Sequence, residues 1–326
     1  MSKKNSLVLI NHTLEQKFKE KAQARACVED FINEFLGQFI SPETKRAYMT
    51  DLGMFFSFIK SGGDNLLKPS DIKSYHFQLY RDHLMEIGHA GASINRRLVA
   101  IRSFVKWAIA SKLMDVNPLD TVKLPKNQTE NPTQAFDDKE VMQMISIADL
   151  TTHKGRVHRL TMVLLFNLGL RRSELVNIKI ADVSNDRGHV VLKIKGKGSK
   201  IRLVPLNEFV QTEIESYLNS MNLSADDFML QLSEKNISAQ PIDGSTIYRM
   251  ITSYAKKCGI NKKVSPHSCR ATVISHLLDT QRTPIRDVAI FAGHSQITTT
   301  ERYDKRRQNL DKSAAYEVDF KKNIAS

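Results

Sequence analysis

Apolar residues follow a helical period over most of the first third of the chain. Tyr48, Leu52, Phe55, Phe56 and Ile59 fall on one stripe. Ser41-Pro42-Glu43 supplies its start signal, a capping serine followed by a proline suited to the first helical position, and Gly62-Gly63 supplies its stop. Between Ile94 and Ala110 the same period sets Ile94, Leu98, Ile101, Val105 and Ala108 on one face, with Arg96, Arg97, Arg102 and Lys106 largely off it. Such a helix buries one side and offers the other to phosphates. Val28 to Phe39 and Ile72 to Ile87 also read as helical, so residues 25–116 are expected to form a small all-helical domain, with 1–24 as an extension before it. Trp107 and the phenylalanines of this stretch read as core rather than base-stacking groups, by the burial habits of large aromatic side chains.

The period stops at Asn117. Residues 117–134 carry three prolines, polar residues throughout and no helical repeat, and read as a linker. Asp137 with Glu140 three positions on is a capping box, and Val141, Met144, Ile145 and Ala148 continue it at helical spacing, which opens a second domain over 135–326. A helix is expected from Val157 to Leu168. The period then changes to two: Val190, Leu192 and Ile194 alternate with Val191, Lys193 and Lys195. Gly196-Lys197-Gly198-Ser199 turns the chain and Ile201 to Val204 returns it, a β-hairpin with a lysine at its tip. From Phe209 onward the pattern is helical. The fold class expected is therefore mainly α, an N-terminal helical domain followed by a mixed α/β domain with a small antiparallel sheet.

Composition narrows the partner. In 326 residues, 48 Lys+Arg stand against 35 Asp+Glu, a net charge of +13, with 41% hydrophobic residues. That content is ample for a core and excludes a disordered basic chain. Nowhere do about 18 apolar residues run together, and Met1 to Ile10 is too short an apolar opening for a signal peptide, so a cytoplasmic, nucleoid-associated protein without a membrane partner is expected. Three widely spaced cysteines, Cys27, Cys258 and Cys269, suit neither a disulfide framework nor a zinc site, and no cofactor or metal is expected. The charge is spread: 19 basic and 13 acidic side chains lie up to Lys126, and 29 and 22 beyond it. Basic folded segments on both sides of a linker fit a clamp around nucleic acid, although a solvated basic surface would carry the same sum.

Four segments of the second domain hold polar groups that a purely structural helix or strand would not require. In Asn167 to Leu175, Gly169 ends a helix and leaves Arg171 at a junction. Lys197 sits at a glycine-flanked tip. Ser265-Pro266 opens a helix that puts His267 and Arg270 on one face of its first turn, looking away from the packed Ala271, Ile274 and Leu278. Gly293 stops a helix begun at Thr283-Pro284, which leaves His294 in a turn; Thr298 with Glu301 boxes the next helix, with Tyr303 one turn into it. Each alone has a bland reading: a surface histidine, a packed tyrosine ring, an arginine paired with Glu174. Together, two arginines, a lysine, two histidines and a tyrosine suit attack on a phosphodiester. Fixed cations stabilise the phosphoryl oxygens without a metal, and the tyrosine is a candidate nucleophile.

The ordered motifs Gly169-Leu170-Arg171-x-Ser173-Glu174-Leu175, the hairpin Gly196-Lys197-Gly198-x-Lys200-x-Arg202-x-Val204-Pro205-Leu206, His267-x-x-Arg270, Gly293-His294 and Tyr303 strongly resemble the tyrosine recombinase, or phage integrase, family. The resemblance runs from about residue 25 to about 315 and likens the first domain to that family's helical, SAM-like core-binding domain. The chain departs from the common pattern at Asn167 and in the Asp-Lys that follows Tyr303. With only 1–24 ahead of the first domain, it resembles the short, Xer-like or simple integrase type.

The resemblance implies a site-specific recombinase. Tyr303 would attack the scissile phosphate and form a 3′-phosphotyrosyl link, and strand exchange would pass through a Holliday junction in integration, excision or dimer resolution. Arg171, Arg270 and His294 would hold the non-bridging oxygens, Lys197 would protonate the departing 5′-oxygen, and His267 would assist proton transfer at the tyrosine. Arg96, Arg97, Arg102, Lys106, Lys200 and Arg202 are the further DNA-contact candidates. Partners implied are double-stranded DNA target sites, a homotetramer or a heterotetramer with a related recombinase, and a directionality or accessory factor. A docking role on a neighbouring protomer is implied for the tail from Lys305 to Ser326. Relaxation of DNA in the manner of a type IB topoisomerase, or a non-catalytic DNA-binding descendant, are the alternatives open at this point.

Overall fold

Four helices account for the periodicity of the first third: α1 (Val28–Gly37), α2 (Pro42–Ser61), α3 (Ser74–Glu86) and α4 (Gly91–Ala110). The computed structural model describes residues 28–64, 66, 68–120, 122–125, 133–196, 200–281 and 283–304. The expected N-terminal extension, the hairpin tip with Lys197, much of the expected linker and the C-terminal tail lie outside the described residues. The chain divides into two compact units, with the boundary between Glu130 and Asn131.

In the first unit, Ser41 caps α2 by accepting the Thr44 N–H at 3.3 Å, and Gly62 ends the helix. Of the predicted stripes, Leu52, Phe55, Leu98, Ile101 and Val105 are all 0% exposed. Each such side chain contributes about 1.5–3 kcal/mol by leaving water. Trp107 packs at 5.6 Å from Phe104 and 5.8 Å from Phe35, within an aromatic cluster. The start of the stretch expected to be linker lies on this unit, because it carries two apolar side chains, Leu119 and Val122, that enter the core. Its backbone is held as well, with Ser74 Oγ donating to Pro118 O at 2.6 Å and Asn95 Nδ2 to Pro125 O at 3.0 Å.

The second unit is built around α6 (His153–Leu168), which follows α5 (Asp138–Ser146). Met162, Val163, Leu164 and Leu165 are fully buried, so the C-terminal half of α6 is enclosed on all sides, while Lys154 near its start is exposed. It begins four residues before the expected Val157, capped by Thr152, whose hydroxyl accepts the Gly155 N–H at 3.0 Å. After the short α7 (Arg172–Val176) comes a sheet of three antiparallel strands in the order β1 (Val183–Asp186), β2 (His189–Lys195), β3 (Ile201–Pro205). Lys195 pairs with Ile201 and Leu192 with Val204, so the expected strands pair as a hairpin; β1 was not expected. Its four residues are partly or fully exposed, leaving no alternation to read, and its turn is formed by Arg187 and Gly188, both at positive φ.

Helices α8 (Glu208–Asn219), α9 (Gly244–Lys257), α10 (Pro266–Asp279), α11 (Ile285–Ala292) and α12 (Ile297–Glu301) follow. The expectation of helix throughout from Phe209 fails between Ser220 and Asp243. Polar groups hold that segment as a loop: Gln231, 1% exposed, accepts the Ser238 N–H and donates to Phe228 O, while Met229 N–H donates to Ile178 O. Among the described residues no helix is long and apolar enough to cross a membrane.

Candidate active site

Two glycines set the geometry. Gly169 at the end of α6 and Gly293 at the end of α11 have φ of +57° and +65°, the left-handed conformation that closes a helix. The first turns the chain so that Arg171 stands at the head of α7. The second releases His294 from α11 toward Tyr303. The ring planes of His294 and Tyr303 are stacked within 11°, their centroids 6.3 Å apart, and the Tyr303 hydroxyl lies 2.9 Å from Nε2 of His267. Tyr303 sits two residues beyond the last residue of α12, not one turn inside a helix, because α12 is a short helix with Gln296 rather than Thr298 at its cap.

Arg270 corrects the expectation that it would look away from a buried stripe. It is 1% exposed, as α10 is covered on nearly every side. Its guanidinium donates to Gly169 O at 2.7 Å and to Ala292 O. Arg171 reaches the same helix end, donating from Nη1 to Glu174 at 2.7 Å and from Nη2 to Gly293 O at 2.8 Å. Arg202 completes the cluster: Nη1 and Nη2 donate to the two oxygens of Glu174 at 2.9 and 3.0 Å, and Nε donates to Phe291 O at 3.1 Å. The structure thus brings together Arg171, His267, Arg270, His294 and Tyr303. Lys197 lies outside the described residues, but its neighbour Gly196 stands beside Glu174, whose Oε1 would be 3.7 Å from a Cβ placed there.

Charges shape the protonation of the group. Burial and then Arg171 lower the pKa of Arg270 to about 10, which leaves it charged at neutral pH. Desolvation, reinforced by Arg270 and Arg171, holds His267 below 6.5; the same causes, with His267 and Arg202, bring His294 to about 4. Both imidazoles are therefore neutral at pH 7. Burial raises Tyr303 above 10, against the pull of Arg270, Arg171 and Arg302. Burial also works against ionisation of Glu174, but hydrogen bonds from Arg202 and from Arg171 prevail and bring it to about 2. Three guanidiniums around one carboxylate leave an excess of positive charge at the cluster, suited to an anion.

Two side chains escaped the sequence reading. Glu174 appears there as a motif position and a salt-bridge partner but with no role at the site, though its position three after Arg171 was the signal for its place at the centre of the cluster. Thr300, fully buried, has its hydroxyl 2.7 Å from Nδ1 of His294, and nothing in its local pattern marks it. Cys269 is fully buried, with its thiol pKa pushed up by burial.

The DNA-contact candidates divide. Arg96 pairs with the buried Asp51 at 3.1 Å, and Arg102 donates to Val122 O at 2.9 Å and lies over the Phe77 ring. Arg97 is half-buried, while Lys106 and Lys200 are exposed. Arg202 departs from its expected place, since its nitrogens face inward.

A helical first unit, a second unit with a small sheet, and a tyrosine ringed by arginines and histidines define a class of DNA breaking and rejoining proteins. Residues 134–309 match the phage integrase family, and residues 28–112 match the phage integrase N-terminal SAM-like domain. The chain belongs to the phage integrase family. It is 32% identical over 269 residues to the tyrosine recombinase XerC of Myxococcus xanthus, covering 81% of this chain and 87% of that one. It is 30% identical over 290 residues to XerD of Staphylococcus haemolyticus, covering 85% and 94%. Among solved structures, the fold is shared with a lambda integrase fragment, residues 75–356 of that protein, as a dimer bound to a core site (TM-score 0.68, 15% identity, 86% of this chain and 95% of that one). It is shared also with the XerH recombinase bound to palindromic difH substrate (TM-score 0.66, 16% identity, 84% and 80%).

Proposed function

We infer that the protein is a site-specific DNA recombinase, an enzyme that cleaves and rejoins duplex DNA, with Tyr303 as its nucleophile. The observation that carries the nucleophile assignment is the 2.9 Å contact between the Tyr303 hydroxyl and Nε2 of His267, beside the Arg171 and Arg270 guanidiniums whose charge acts on Tyr303. In the first step Tyr303 Oη forms a bond to phosphorus and the bond from phosphorus to the 5′-oxygen breaks. The tyrosine proton passes to the neutral His267. The leaving 5′-oxygen takes a proton from Lys197. Arg171, Arg270 and the Nε2–H of His294 stabilise the charge that gathers on the non-bridging oxygens, an effect strengthened where water is excluded. The Thr300 hydroxyl, as donor to Nδ1 of His294, favours the tautomer that keeps Nε2–H available.

The product is a 3′-phosphotyrosyl ester and a free 5′-hydroxyl. One ester replaces another, so ATP is not required. Attack by the 5′-hydroxyl of a partner duplex reverses the step and exchanges the strands through a Holliday junction. Two duplexes present four strands for cleavage, which calls for four protomers, either of this chain or with a related recombinase. Support for the recombinase reading comes from family membership and from the relatives named tyrosine recombinases. Acting on DNA, the enzyme works in the cytoplasm at the nucleoid.

The test is recombination between two labelled duplexes that carry the target sequence from the native locus. Wild-type protein is expected to yield joined strands and Tyr303→Phe to yield none. Recombinant product from Tyr303→Phe would overturn the assignment.

A further inference from the structure

Three consecutive carbonyls at the carboxyl end of α11 each accept from a different arginine: Phe291 O from Arg202, Ala292 O from Arg270 and Gly293 O from Arg171. The last carbonyls of a helix lack partners within it and carry its negative end, so they are a natural anchor for cations. Two of these arginines belong to the proposed phosphate site. The third has no role in it as described above.

Strand parity decides which way Arg202 faces. In β3, Ile201 and Leu203 are 57% and 48% exposed, while Arg202 shares the opposite face with Val204, 2% exposed. The Arg202 side chain is 14% exposed, and all three of its guanidinium nitrogens are engaged with Glu174 and Phe291 O. Contact with α11 is close, as a Cβ on Gly293 would stand 2.8 Å from Nη1.

We propose that Arg202 is a positioning residue of the cleavage step, holding Arg171 and the Gly293–His294 turn in place through Glu174 and the end of α11, and that it does not grip DNA. Glu174 Oε1 accepts from Nη1 of both Arg202 and Arg171, while Oε2 accepts from Arg202 Nη2 and from the Arg171 backbone N–H at 2.8 Å, so the Arg171 side chain meets only one of the two oxygens. The other arm of Arg171 is then available to Gly293 O. Without Arg202 the 2% exposed Glu174 keeps Arg171 as its remaining guanidinium partner, which draws Arg171 toward the carboxylate and away from the phosphate. The link to Phe291 O fixes the helix end from which His294 emerges. The proposal rests on the reading of Tyr303 as nucleophile.

The experiment compares Arg202→Gln and Arg202→Lys with wild type on nicked duplexes carrying the target sequence, which trap the covalent adduct. Two quantities are read: the single-turnover rate of adduct formation at saturating DNA, and the slope of log binding constant against log salt. A positioning role lowers the saturated rate by about a hundredfold in both variants, the scale of a small misplacement of reacting groups, and leaves the salt slope as in wild type. Lysine fails here because a point charge cannot serve Glu174 and Phe291 O together. A phosphate grip does the reverse: Arg202→Gln reduces the slope by roughly 0.9, and Arg202→Lys behaves as wild type. Retention of the wild-type rate by Arg202→Lys overturns the proposal, even if Arg202→Gln does not fold. Failure of wild type itself to form an adduct counts against Tyr303 as nucleophile and leaves the placement of Arg202 unaffected.

Discussion

The Tyr303 hydroxyl keeps its proton at neutral pH, since desolvation raises its pKa above 10, and the group facing it, Nε2 of His267, is neutral there. A base works only while unprotonated. For His267 that is the range above its own pKa, which desolvation, Arg270 and Arg171 hold below 6.5. The cleavage rate at low DNA, which reports the free enzyme, is therefore expected to be level around neutrality and to fall as pH drops through the His267 pKa. Arg270 stays charged over this range and His294 titrates near 4, so neither produces that limb. A rate that rises on acidification, or a limb unchanged in His267→Asn, would contradict the base role. At this scale the sequence disclosed the residue types and their order, because each recurs beside a cap or a glycine. It did not disclose the burial of Arg270, since arginine is ordinarily exposed, nor the inward face of Arg202, which depends on strand parity at the hairpin.

Among the elements, the turns after α6 and α11 matter most, and both were legible from a glycine closing an apolar helical period. Gly293 needs to be glycine twice over: its φ is +65°, and a Cβ would stand 2.8 Å from Arg202. Gly293→Ala is expected to cost about 1–2 kcal/mol of stability from the left-handed backbone alone. It is expected also to slow adduct formation at temperatures where the variant is folded, because the alanine methyl displaces the Arg202 brace. Thermal unfolding and single-turnover cleavage measure the two effects, and full activity in a folded variant would show that the turn tolerates the shift. Elements without periodicity escaped. β1 is a short edge strand with one apolar residue, Val183, and the loop from Ser220 to Asp243 is held by side-chain amide and backbone bonds such as those of Gln231 that leave no repeat in the sequence. The end of α12 was misjudged because a Thr-x-x-Glu pattern resembles a capping box whether or not a helix starts there.

For the whole molecule, the fold class followed from a change of period, helical before Asn117 and alternating at Val190, and the net charge of +13 pointed to a polyanion. Charge alone did not separate grip from chemistry. The structure shows why: arginines at the proposed site and arginines of α4 both hold carbonyls or carboxylates of the protein, and their roles differ by what lies beside them. Arg171 and Arg270 stand next to a tyrosine and two histidines, whereas Arg96 and Arg102 stand next to Asp51 and Val122. The proposed function turns on one bond, between Tyr303 and the 3′-phosphate of the DNA target. The direct measurement is mass spectrometry of the proteolysed covalent complex formed on a nicked duplex. A peptide spanning Tyr303 that carries a nucleotide through its 3′-phosphate is the result expected. Attachment at any other residue, or through a 5′-phosphate, would contradict it.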